Sequence, residues 1–305
     1  MDFQLQQRIW KAKMKNMSWI YKFSKRMPKK FKRKNTLANL RFDDLFYKIC
    51  IEINSSCNRK CAWCPTHEPP EKQGKTIFLE DEVFYSIIDQ LLELNYRGLV
   101  GFEIFNEPTL DKRLLHFLEY CKERGLRTYF VTNGDLMKKK PELTKSFFNA
   151  IGHHIHFSLY DYKDREGFKE LKNGWIDYLE SLGVERAKYN FGLPYFDFHS
   201  VAGSVDRKSL LEEGILEGDL ESENKLPLKK NCRKPFGKIN IAYNGKVPIC
   251  CLDAWMIKDL GNIRENTIAE IWWGEKRKYV CEQLLLNDRS KLVPCNTCTA
   301  TSSDR

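Results

Sequence analysis

An α/β fold, a parallel sheet with covering helices followed by a small α+β domain, is the architecture this sequence predicts. Two observations carry it. Between residues 46 and 193, short alternating apolar runs and helix-period runs succeed one another about five times, the pattern of parallel strands joined by crossover helices. Near residue 206 the rhythm breaks, and the chain ends in short runs, an Asn-Gly turn signal and clustered cysteines.

The elements follow in order. "FYKICIEI" (46–53) alternates and is rich in Ile, so it reads as a strand entering a cysteine loop. "LEDEVFYSIIDQLLELN" (79–95) has helical spacing with an acidic start, and "LVGFEIF" (99–105) is a strand. "LDKRLLHFLEYCKERG" (110–125) is a helix stopped at Gly125, followed by the strand "LRTYFVTN" (126–133) and a helix over 142–151. "HIHFSLY" (154–160), a helix over 169–183 and "RAKYNFGL" (186–193) complete the set, with "YFDFH" (195–199) a candidate sixth strand. In such folds chemistry gathers at the carboxyl ends of the strands. Those ends carry the cysteine loop, "NEP", "TNG" and "SLYD", which therefore share one mouth. The charged stretch 206–231 reads as a linker. Beyond it, "GKINIAYNGKVPIC" (237–250) reads as a hairpin about Asn244-Gly245, and 267–286 as a helix interrupted once by Gly.

Charge divides the chain. Residues 1–34 hold twelve Lys or Arg and one acid, which leaves 39 bases and 40 acids elsewhere. The body is near neutral, and residues 1–44 form a basic amphipathic extension. That arm fits packing on its own domain, with peripheral contact to an anionic membrane surface second; nucleic acid is disfavoured. No apolar run reaches transmembrane length and no signal-peptide pattern opens the chain, so a cytoplasmic location is expected. Eleven cysteines, an odd number in a long chain without an export signal, suit metal binding better than a disulfide framework.

Cys57, Cys61 and Cys64 lie in "SSCNRKCAWCP" (55–65). Three thiolates hold three corners of a 4Fe–4S cube and leave one iron open; with His67 they also fit a Cys₃His zinc site. The C-x₃-C-x₂-C spacing, with Trp63 before the last cysteine, resembles the radical S-adenosylmethionine (radical SAM) enzymes. The resemblance implies a partial (β/α) barrel of about five to six parallel strands over 45–205. It implies a SAM-binding 4Fe–4S cluster on those three cysteines and release of a 5′-deoxyadenosyl radical. Asn106 and Glu107 in "FNEP", Thr132 and Asn133 in "VTNG", and Ser158 in "FSLYD" match the family's cofactor-binding positions. A cap at a helix entry is the plainer role for Glu107. "HSVAGSV" (199–205) is similar to a loop of some members.

Cys232, Cys250, Cys295 and Cys298 form a second set, C-x₁₂-G-x₄-C followed by C-x₂-C. Four thiolates close one metal site, zinc or iron–sulfur, with Cys251 an alternative to Cys250. Over 232–298 the spacing resembles the twitch domain, a shortened SPASM domain, which implies one auxiliary 4Fe–4S cluster ahead of a tail at 299–305. Cys50, Cys121 and Cys281 read as buried apolar residues.

Domain order resembles that of twitch-bearing dehydrogenases. This implies an oxidoreductase that takes hydrogen from a small hydroxylated molecule (a sugar, cyclitol or glycan precursor) and passes an electron to the auxiliary cluster. A flavodoxin or ferredoxin would supply reducing electrons. Peptide modification, epimerisation and decarboxylation use the same architecture, and a zinc-bound nucleic-acid-binding or scaffold protein is the alternative of another class. Candidates for a proton acceptor are His154, His156 and Tyr160; alternation puts His154, His156 and Ser158 on one face.

Overall fold

The structure is a computed structural model that describes residues 45–65, 75–192, 201–216, 219–221, 223–230 and 232–300. The basic arm, His67, the run at 195–199 and the last five residues lie outside the described residues. The chain divides into two units, 1–46 and 47–305, and every element below belongs to the second.

Apolar spacing dictates the helices. In α1 (Asp81–Glu93) Phe84, Ile87, Ile88 and Leu91 fall on one stripe, and α2 (Leu114–Glu123) repeats this with Leu114, Phe117, Leu118 and Cys121. After α3 (Asp135–Lys139), α4 (Pro141–Ala150) starts on Pro141, whose fixed φ suits a first turn. Asp164 caps α5 (Arg165–Ser181) by accepting from the Gly167 N–H, which starts this helix four residues before the predicted 169.

Strands β1 (Lys48–Ile51), β2 (Leu99–Phe102), β3 (Arg127–Thr132), β4 (His154–Phe157) and β5 (Tyr189–Phe191) pair in parallel, as the strand–helix alternation predicts. Among the described residues the sheet's sixth strand comes from farther along the chain. In the sheet order β5-β4-β3-β2-β1-β6, β6 is Lys238–Ile241, paired parallel to β1 on the opposite edge. The predicted hairpin is corrected with it. The turn forms, with Ala242 N–H donating to Lys246 O and Gly245 at φ 78°, but its two arms pair elsewhere. β7 (Lys246–Pro248) joins β8 (Asp259–Asn262) antiparallel. The edge of β1 offers β6 a parallel ladder along its whole length, from Lys238 to Ile241.

Helices α8 (Ile268–Trp272) and α9 (Glu275–Leu285) are separated at Gly274, where a Cβ would lie 2.5 Å from Glu270 O. The stretch read as a linker carries helix α6 (Arg207–Glu212), whose Leu210 packs with Val201, Val205 and Leu216 against Trp63 and Phe105. A short helix, α7 (Lys234–Gly237), leads into β6.

The sheet has two unlike faces. Ile49, Ile51, Val100, Phe102, Phe130, Ile155 and Phe157 are fully buried on the helix side, where Phe102 meets Phe84, Phe130 meets Phe147 and Phe157 meets Trp175. Each such side chain contributes about 1.5–3 kcal/mol. The alternate positions line the inner face. One register layer is Asn240, Cys50, Gly101, Tyr129 and His154. Gly101 is needed here, because a Cβ would sit 2.2 Å from Tyr129 Oη, whose ring lies across β2. Gly101→Ala is expected to destabilise by about 1–3 kcal/mol in chemical denaturation, and adding Tyr129→Leu should recover most of the loss; an unchanged midpoint in the single variant would contradict this packing.

Candidate active site

The carboxyl ends of β1, β2 and β3 meet at one buried side chain. Glu107 Oε1 accepts from Thr109 N–H (3.1 Å), Thr109 Oγ1 (2.6 Å) and Thr132 Oγ1 (2.8 Å), while Oε2 accepts from Asn133 N–H (2.7 Å). Glu107 N–H donates in turn to Ser56 O, directly before Cys57. Burial raises its pKa, an effect these donors offset only in part. All the partners donate, so the arrangement suits a carboxylate. Glu107 does cap the short turn Pro108–Leu110, and Oε2 keeps acceptor capacity besides.

Asn133 N–H serves Glu107, its Oδ1 accepts from Asp135 N–H, and its Nδ2 donates to Asn58 Oδ1 at 2.9 Å with Cys57 Sγ at 4.0 Å. Gly134 follows at φ 82°, where a Cβ would strike Trp175 at 2.5 Å, so the "TNG" turn requires glycine. Thr132 and Ser158 are buried and joined by Ser158 N–H to Thr132 O. The side chain of Asn106 has both its amide N and its amide O buried without a hydrogen-bond partner among the described residues. A buried unpaired amide is costly, and a donor–acceptor pair of this kind fits the amino and carboxylate groups of a cofactor at this mouth.

The three cysteines of the loop form no disulfide, and Cys57 Sγ accepts from Arg59 N–H at 3.4 Å. Burial raises the Cys57 thiol and pushes Cys61 up to about 12. Arg59 fastens this loop. Its Nε and Nη2 reach Asp135, its Nη1 and Nη2 reach Asp161 at 2.7 Å, and Asn58 Nδ2 also donates to Asp135 at 2.7 Å. The loop is thus tied to the ends of β3 and β4 by two bidentate-type contacts. Spacing of cysteines reveals nothing of this clamp; an Arg inside the loop facing "NGD" and "LYD" was its one trace.

Of the proton-acceptor candidates, Tyr160, just past β4, packs on the cysteine loop, 5.9 Å from Trp63 and 5.7 Å from the Arg59 guanidinium. His154 stacks on Tyr129 at 5.5 Å, and burial lowers its pKa to about 4. His156 shares the inner face with Asn190, whose Oδ1 contacts its Nδ1, and burial lowers its pKa too. Beside them Glu103 binds Lys48 Nζ at 2.7 Å, Tyr129 Oη and Cys50 Sγ. Cys50 is therefore part of a polar network, a correction to its reading as an apolar residue; Cys121 and Cys281 are buried as expected. Glu103, Lys48 and Tyr129 went unread because alternation marks a face without saying that it is functional.

The second set also converges. Cys232, Cys250, Cys295 and Cys298 line one cavity, with Ile249, Leu252, Leu284 and Pro294 as apolar wall. The thiols surround a space; among the described residues no three His, Cys, Asp or Glu side chains are gathered tightly enough to hold a single metal ion. Cys251 is not among the lining residues. Val201, Ala202 and Gly203 form a left-handed turn (φ 44°, 54° and 85°) between the sites: Val201 packs toward Trp63, and Ala202 lines the cavity.

Residues 51–189 match the Radical SAM superfamily, and residues 232–299 match SPASM, an iron–sulfur cluster-binding domain. The chain is a radical SAM enzyme. Its radical SAM domain binds S-adenosylmethionine and a 4Fe–4S cluster, its second domain binds iron–sulfur, and the zinc readings are set aside. It is 25% identical over 265 residues to the S-adenosyl-L-methionine-dependent 2-deoxy-scyllo-inosamine dehydrogenase of Niallia circulans, covering 85% of this chain and 95% of that protein. Its fold matches the crystal structure of BtrN in complex with AdoMet and 2-DOIA (TM-score 0.61, 22% identity, 86% of this chain and 97% of that one). It also matches Streptococcus suis SuiB bound to precursor peptide SuiA (TM-score 0.51, 15% identity, 84% and 70%). Among the described residues no helix is long and apolar enough to cross a membrane.

Arg59→Ala is expected to free the radical SAM loop and to cut bound iron by about half, since one of two 4Fe–4S sites is weakened; full iron content in the anaerobically loaded variant would contradict the clamp.

Proposed function

We propose that this radical SAM enzyme oxidises an alcohol carbon of a small polyhydroxylated molecule, a cyclitol, sugar or glycan precursor, by two electrons. The observation that carries this is the inner face of the sheet. One residue pair below Asn133 and Ser158, roughly 7 Å down a strand, the side chains change to His156, Asn190 and Glu103. Below these come Tyr129, His154 and Asn240, whose Oδ1 is buried without a partner among the described residues. Such a wall matches hydroxyl groups, and 95% coverage of a cyclitol dehydrogenase supports the same class.

In this reading Cys57, Cys61 and Cys64 hold the SAM-binding cluster, and Cys232, Cys250, Cys295 and Cys298 hold the auxiliary one. When bound, S-adenosylmethionine and the clusters supply a 5′-deoxyadenosyl radical and an acceptor for one electron, with reducing electrons from a flavodoxin- or ferredoxin-like donor. Asn106 meets the cofactor's amino and carboxylate groups, while Glu107, Thr132, Asn133 and Ser158 shape its seat. The substrate hydroxyl gives its proton to His156 Nε2, the nitrogen left available because Asn190 Oδ1 accepts from Nδ1–H. Lys48, Glu103 and His154 are the charged or titratable groups facing this imidazole. Burial keeps it neutral below the ordinary histidine value, so its accepting form is present at neutral pH and is lost as pH falls through that lowered value.

With 2-deoxy-scyllo-inosamine as first substrate, reduced anaerobic enzyme should form one 5′-deoxyadenosine per ketone. Replacing Cys57, Cys61 and Cys64 together by Ala should abolish S-adenosylmethionine cleavage. Replacing Cys295 and Cys298 should spare cleavage while removing ketone formation. Loss of cleavage in the second variant alone would reverse the assignment. His156→Ala should lower ketone formation about 10²–10⁴-fold with cleavage retained; equal loss of both would remove His156 from the proton-transfer step.

A further inference from the structure

The wall of the cysteine cavity contains a charge that electron transfer by itself does not explain. Arg289 is 2% exposed and lines the cavity with Cys232, Cys250, Cys295 and Cys298. Its Nε donates to Lys230 O at 3.0 Å, and its Nη1 donates to Cys298 O at 3.3 Å and Ala300 O at 2.8 Å. It thereby holds the strand of chain that carries Cys298 and faces the thiols. A guanidinium stays charged under all ordinary conditions, and a charge removed from water acts over short range with little screening. Asp253, buried on the 250–256 loop, acts on Cys295 in the opposite sense, after Arg289 in size.

A thiolate-ligated 4Fe–4S cluster is anionic and gains one further negative charge on reduction. A fixed cation at its wall favours the more negative state, and burial, net charge and hydrogen bonds are the levers a protein has over such a potential. We propose that Arg289 raises the reduction potential of the auxiliary cluster and so makes it a competent one-electron acceptor. The step it favours is the uptake of one electron by the oxidised cluster. The donor is the substrate radical in turnover or dithionite in the test, and no proton or bond is exchanged at Arg289. This goes beyond the choice of substrate and rests on assigning the auxiliary cluster to these four cysteines.

The test is an EPR-monitored redox titration of the full-length, cluster-loaded chain at fixed pH. The auxiliary signal is the one that S-adenosylmethionine leaves unchanged, and iron is quantified in each sample. Arg289→Gln is expected to weaken the equilibrium for reduction by tenfold or more, about 59 mV for one electron, with the SAM-responsive cluster unmoved. Arg289→Lys keeps a charge and should stay nearer the parent; its midpoint should fall as pH is raised through the titration of the lysine, a fall the parent lacks. An auxiliary midpoint unchanged in the Gln variant, or equal displacement by Gln and Lys at every pH, overturns the proposal. If Gln prevents loading, the pH series on Lys decides alone: no added pH dependence overturns it. Absence of a second cluster from the parent protein would instead defeat the ligand assignment.

Discussion

The site depends on one buried carboxylate. Glu107 receives hydrogen bonds from the turn that follows it and from the end of β3, and its own N–H reaches Ser56 in the cysteine loop. Three strand ends are thereby fixed around four donated bonds. Charge-assisted bonds of this kind are among the stronger ones a protein makes, and an unmatched buried carboxylate is among the more costly features. Asn106 beside it shows the complementary pattern, both of its amide atoms being buried and unmatched among the described residues. Arg59 completes the frame by fastening the loop to Asp135 and Asp161.

A second constraint is the division of the sheet. The helix side is filled with Ile, Val and Phe, which leaves the inner side free to carry chemistry. Because side chains alternate along each strand, the polar positions fall into layers: Asn133 and Ser158 at the mouth, His156, Asn190 and Glu103 beneath, and Tyr129 across the floor. β6 closes one edge of this sheet with a strand from the auxiliary domain, so the two domains share a backbone ladder. Within the second domain, Arg277, buried on α9, donates to Pro235 O just before β6 and so ties α9 to the start of that strand.

Much of this was legible in the sequence, for a physical reason: the cysteine loop and the strand-end turns are local in chain. C-x₃-C-x₂-C, "NEP" and "TNG" lie within a few residues each, and the strands and helices follow from hydrophobic period. What eluded the sequence is long-range. The Asn244-Gly245 turn was readable, but nothing local says that the arm before it prefers the edge of β1 to its neighbour. The Arg59 clamp joins residues 76 and 102 apart in sequence. Arg289 sits between two unremarkable loops, and its place at the cysteine cavity comes only from the fold. Cys50, apolar by pattern, proved to face Glu103 and Tyr129 because a strand residue's side is fixed by register, not by residue type.

In the proposed function the first cluster keeps one iron without a protein ligand, as a docking point for S-adenosylmethionine. Mössbauer spectroscopy of the chain loaded anaerobically with ⁵⁷Fe tests it most directly. The expected result is about eight irons in two cubane clusters, with a single iron site of one cluster changing its isomer shift when S-adenosylmethionine is added and the other cluster unaffected. Two clusters that both ignore the cofactor, each with four protein ligands, would contradict it.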